Sequence, residues 1–221
     1  MINVEKYIQR LTVILQNYFG ARLIYVGLQG SYLRGEATSD SDLDIMVVID
    51  DLSVSDLSSY RTLIESLDYS DRSCGFICSK EDLLHWNRLE ICNLLHSTKD
   101  YYGTLKDLVP EYSMDDIRSY IKLCINNLYH EICHRYIHGQ IDKSMAALPG
   151  IYKSVFFILQ NLHYLTSGVF VASKSELLSC LDGRNREILE RSVGYGIGKE
   201  YDFAESFLLL FSWCQETLSA L

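Results

Sequence analysis

The residues best equipped for chemistry form two short groups with ten residues between them. Gly30-Ser31 closes an apolar run, Leu23 to Leu28, and Asp42 and Asp44 flank one leucine at the start of a second run, Leu43 to Ile49. Glycine lets the backbone approach a bulky anion closely, and the N–H groups that open a helix can hold phosphate. Ser31 adds a hydroxyl donor. In an extended chain, residues i and i+2 share a face, so Asp42 and Asp44 aim two carboxylates at one point. Charges that close repel unless a divalent cation lies between them. Hard oxygen ligands favour Mg²⁺, which usually shares its shell with substrate phosphates. A phosphate cradle beside a Mg²⁺-binding pair is the equipment for in-line attack on a nucleotide phosphate. A Gly-Ser turn, an Asp-x-Asp or an arginine such as Arg34 is ordinary by itself; the joint spacing, with a strand on each side, is what points to a site.

Together these residues read GSYLRGEATSDSDLDI, which resembles the signature of the nucleotidyltransferase superfamily that includes DNA polymerase beta. The Arg34-Gly35-Glu36-Ala37 insert is similar to that of the minimal nucleotidyltransferases, and the layout of a sheet half followed by helices resembles antibiotic-modifying enzymes of the kanamycin nucleotidyltransferase type. The resemblance implies that Gly30, Ser31, Arg34 and Ser41 hold the triphosphate of ATP or another NTP, and that Asp42 and Asp44 bind Mg²⁺ and serve catalysis. It further implies transfer of a nucleoside monophosphate, AMP, to a hydroxyl of a small acceptor such as an aminoglycoside. A homodimer follows from the antibiotic-modifying relatives. A protein partner follows from the minimal ones, which resemble antitoxins.

The family usually adds a third carboxylate on a later strand. Here the strand at SCGFIC places Cys74 or a neighbour there, and no Asp or Glu lies between Arg72 and Lys80. Asp71, Glu90 and Asp100 are the alternatives, and a chain without that acid could be a nucleotide-binding module alone. Antibiotic-modifying relatives also place a general base on the first helix of the second domain. In this chain that helix carries His130, Glu131 and His134, and Glu131 or His130 can accept a proton near neutral pH. The same residues fit H-E-x-x-H, a zinc-hydrolase pattern with two histidines one turn apart and a glutamate base.

The elements that must position these residues divide at Pro110, one of only two prolines. Before it, the spacing predicts a helix over 4–18, strands over 23–28, 43–49 and 74–78, a helix over 56–67 and a fourth strand over 90–96. After it, everything reads as helix. Ser113 caps a helix that Gly139 stops; others span about 151–165, a segment opened by Ser173 and Glu176, 186–192 and 204–218. The expected class is α+β: a small mixed sheet domain over 1–110, carrying the nucleotide chemistry, and a helical bundle over 111–221 that selects the acceptor.

Composition excludes other classes. The 221 residues are 48% hydrophobic and 22% charged, as expected of a globular chain with a core. A net charge of -9 repels polyanions, so nucleic acid is an unsuitable partner, while a cationic acceptor is favoured. No apolar run is long enough to span a membrane, and Glu5, Lys6 and Arg10 interrupt what a signal peptide would need. Seven scattered cysteines are expected as reduced thiols, so the expected location is the cytoplasm.

Overall fold

The computed structural model describes residues 2–221 and divides into two compact units, one ending at Tyr112 and one running from Ser113 to Leu221. The first unit is built on a four-stranded sheet. Helix α1 (Val4–Phe19) leads to β1 (Leu23–Leu28), the short helix α2 (Gly30–Leu33), β2 (Leu43–Ile49), α3 (Val54–Glu65) and β3 (Ser73–Cys78). Helices α4 (Lys80–Leu84) and α5 (Arg88–His96) precede β4 (Lys99–Tyr102). The strand order is β3-β2-β1-β4; β1 pairs antiparallel with β2 and β4, whereas β2 and β3 are parallel, joined through α3.

Strand alternation sorts the core into two layers. Leu43, Ile45, Val47 and Ile49 face α1, whose Ile8, Leu11 and Leu15 recur at helical spacing, and are wholly or almost wholly buried. Met46 and Val48 face the other way, onto Tyr25, Cys78, Leu83 and Leu105. Helix α3 is fixed at its start. Ser53 and Asp56 form a reciprocal cap, and Arg22 donates to both Asp56 carboxylate oxygens at 3.0 and 2.7 Å. Those bonds hold the Asp56 carboxyl well below the usual carboxylate range.

The parallel pairing of β2 with β3 depends on one residue. Gly75 has φ +146°, and a Cβ there would lie 2.0 Å from the Ile45 carbonyl oxygen. A side chain at that position strikes main chain, which cannot swing aside.

The fourth strand differs from expectation. Residues 90–96 form helix α5, because Ile91, Leu94 and Leu95 recur at i, i+3 and i+4 and the Asn87 side chain caps the Leu89 N–H at 3.1 Å. The fourth strand is instead Lys99–Tyr102, whose register places Asp100 beside Gly27.

The second unit is all helix: α6 (Met114–His138), α7 (Ile141–Ser167), α8 (Lys174–Cys180), α9 (Gly183–Gly196) and α10 (Phe203–Ala220). Ser113 and Asp116 form the cap that opens α6. Helix α7 begins ten residues earlier than the sequence pattern suggests and passes through Pro149. Proline removes one helical hydrogen bond, and burial of Ser144, Leu148, Ile151 and Tyr152 along one stripe outweighs that loss. All seven cysteines are free thiols. Among the described residues, no helix is long and apolar enough to cross a membrane.

Candidate active site

The site is assembled where β1 leaves the sheet. Gln29 N–H donates to the Asp44 carbonyl at 2.8 Å, which pins the turn against β2. Gly30 then opens α2 with φ +71°. A Cβ on Gly30 would lie 1.8 Å from Asp44 Oδ2, so the carboxylate occupies the space that any side chain would fill. Gly30 is thus required twice: for a left-handed backbone, and for the closeness of Asp44.

Gln29 makes no side-chain cap on α2; its amide donates instead to Thr98 Oγ1 at 2.8 Å. The first N–H groups of a helix have no partner within it. Among the described residues, the hydroxyl of Ser31 has no hydrogen-bond partner either. Donors and a carboxylate therefore meet at one turn.

Asp44 is half-buried as the second residue of β2, and Asp42 is exposed immediately before the strand. Two hard oxygen donors beside a turn with N–H groups fit a divalent cation whose remaining ligands come from phosphate. Among the described residues, no group of three His, Cys, Asp or Glu side chains is placed to hold a metal.

The other expected nucleotide ligands have partners in the chain. Arg34 Nε donates to Glu36 Oε2 at 3.0 Å, and both side chains are mostly covered. Ser41 Oγ accepts the Thr38 N–H at 2.9 Å and so holds the turn that precedes Asp42. Arg72, which the sequence pattern did not single out, donates to the Ser39 carbonyl at 2.6 Å and lies 3.8 Å from Asp40. It fastens the loop that leads to Asp42. No local signal marks this role, since the two segments lie thirty-three residues apart.

The strand beside Asp44 supplies no third acid. Cys74 is the register partner of Asp44 on β3 and is exposed. Each alternative carboxylate is engaged elsewhere. Asp71 faces Arg72 at 3.9 Å, Glu90 accepts from the Trp86 indole at 2.7 Å, and Asp100 accepts from Tyr25 at 2.6 Å. Burial, then the Asp100 carboxylate, pushes the Tyr25 hydroxyl far above its ordinary value.

In the second unit, His130, His134 and His138 project from one face of α6, with ring centroids 6.3 and 5.2 Å apart in succession. Glu131 accepts from Arg135 Nε at 2.9 Å. Together they border a surface recess of 610 Å³. Among the described residues no third ligand converges on these histidines, so the zinc-hydrolase pattern lacks the set a zinc ion needs.

Residues 9–85 match the family described as the nucleotidyltransferase domain. Over these residues the chain is similar to the nucleotidyltransferase superfamily. A Methanocaldococcus jannaschii protein named as a putative protein adenylyltransferase is 37% identical over 65 residues. That match takes in 29% of this chain and 63% of the relative, so the chain spans less than two thirds of it. The crystal structure of the spectinomycin adenyltransferase of Enterococcus faecialis with ATP and spectinomycin shares the fold. It superposes with a TM-score of 0.59 over 98% of this chain and 100% of its own, at 16% identity. A toxin–antitoxin structure with AMP-PNP is matched over 61% of this chain and 94% of its own, at 19% identity and a TM-score of 0.34. The nucleotidyltransferase match contains Gly30, Ser31, Asp42 and Asp44.

Proposed function

We propose that this nucleotidyltransferase moves AMP from ATP to a hydroxyl of a small acceptor. The observation that supports the reading most directly is the contact space between Gly30 and Asp44. It brings the phosphate-binding turn and a carboxylate into one site. In the proposed reaction the acceptor oxygen forms a bond to the α-phosphorus, the bond to the bridging β-phosphate oxygen breaks, and pyrophosphate leaves. The hydroxyl proton passes to a base.

The N–H groups of α2 and the Ser31 hydroxyl bind the triphosphate and fix its orientation. Asp42 and Asp44 would hold Mg²⁺, which when bound neutralises charge at the phosphate under attack. Arg72 is a positioning residue, since it fastens the loop before Asp42. Cys74 stands where an adjacent acid would serve as base. The hydroxyl proton goes to Asp44, to the substrate or to water. The net charge of -9 favours a cationic acceptor such as an aminoglycoside.

A second reading makes the acceptor a side-chain hydroxyl of a partner protein. The name of the Methanocaldococcus jannaschii relative favours it. One experiment separates the two: ATP labelled at the α-phosphate, Mg²⁺ and purified chain, offered first an aminoglycoside panel and then a proteome extract. Label on a small molecule supports the first reading, and label on a polypeptide supports the second. Nucleotide binding with no transfer to either would leave only a binding module.

A further inference from the structure

The two edges of the sheet differ. Strand β4 carries Lys99 and Asp100 within its four residues, and charge on an edge discourages further pairing. Strand β3 reads SCGFIC, with neither a charge nor a proline, and has a neighbour only on the β2 side. Its outward N–H and C=O groups form a template for another strand. Helix α3 runs beside this edge and lines it with an apolar stripe of exposed Leu57 and of Tyr60 and Ile64, which also pack on the core. The stripe and residues 74–77 border a groove of 460 Å³. Arg61 and Glu65 lie along the same wall, one helical turn apart and both exposed. Among the described residues, neither makes an ion pair.

We infer that this edge is an interface between two copies of the chain, pairing β3 with β3. A twofold axis perpendicular to the sheet sets the two β3 strands antiparallel, a pairing that sheets accept readily. The added strand lies about 4.8 Å beyond the first. The second α3 then approaches the groove from the opposite direction, and the two apolar stripes close on each other. Because the helices run antiparallel, Arg61 of each copy faces Glu65 of the other. The groove is therefore complementary in charge to itself, a property that fits a second copy and that an unrelated peptide has no reason to share. The inference concerns packing and does not depend on the reaction proposed above.

Sedimentation equilibrium of the full chain tests it without any activity measurement. The expected mass is twice 25.4 kDa. Either Arg61→Glu or Glu65→Arg should weaken the dimer by about tenfold or more, since like charges then face each other. The double exchange should restore affinity to within about threefold. Both positions are exposed, so the variants should fold, and circular dichroism checks that. In a Cys180→Ser background, a short bis-maleimide should link Cys74 to Cys74 of the second copy, and Cys74→Ser should abolish the link. A wild-type chain that stays at 25.4 kDa at every concentration overturns the inference. So does a dimer indifferent to the single reversals, or one that the double exchange fails to restore.

Discussion

The turn at Gly30 and the histidine face of α6 both carry motifs associated with catalysis, yet they are built differently. At Gly30 the backbone is held in a left-handed conformation, a main-chain bond ties the turn to β2, and Asp44 fills the space beside the missing side chain. On α6 the histidines occupy ordinary helical positions, and Glu131 is paired with Arg135. The lesson is that spacing along a helix comes without cost from helix geometry, whereas a glycine forced by a carboxylate requires agreement between distant parts of the chain. The second kind of motif is far harder to produce by accident.

The comparison predicts a graded set of losses. The largest is for Asp44→Asn, which should lower nucleotidyl transfer by at least about a hundredfold in a radiolabel assay, with unchanged thermal stability. Gly30→Ala comes next. It forces a left-handed alanine against Asp44 and should cost about 1–3 kcal/mol in urea denaturation, with transfer falling at least about tenfold. Normal activity in that variant would show that the turn and the carboxylate do not act together. Glu131→Gln and His134→Ala should change transfer by less than about twofold if α6 only offers a solvated face. A deep loss from Glu131→Gln alone would reverse the ranking and make α6 the seat of the base.

The smallest effect concerns pH. Asp56 titrates below its ordinary range because of Arg22, and then Ser53. A depressed carboxyl contributes stability that is present above its unfolded value and disappears as pH falls through the folded one. The stability gap between wild type and Asp56→Asn should therefore be constant from pH 7 to about 5 and narrow below about pH 4. A gap that widens in acid would show that Arg22 does not hold the group ionised.

Much of this architecture is legible in the sequence wherever the cause is local. The apolar runs of β1 and β2, the Ser113–Asp116 cap and the recurrence of Ile117, Ile121 and Ile125 in α6 all lie within a few residues. The Gly-Ser turn and Asp-x-Asp are legible for the same reason. Strand β4 is not, because KDYY is short and half charged and becomes a strand only by pairing with β1. The start of α7 is hidden by Pro149, whose usual meaning is overridden by tertiary burial. The Arg72 fastening and the Asp100–Tyr25 bond join residues far apart in sequence, and no local pattern announces them.

Position 75 has an evolutionary consequence. Solvent-facing sites ordinarily tolerate wide variation, so a library randomised across residues 73–78 would be expected to lose diversity chiefly at inward sites such as Cys78. Gly75 should instead be the most intolerant member of the set despite its exposure, because the obstacle to replacement is the main chain of the neighbouring strand.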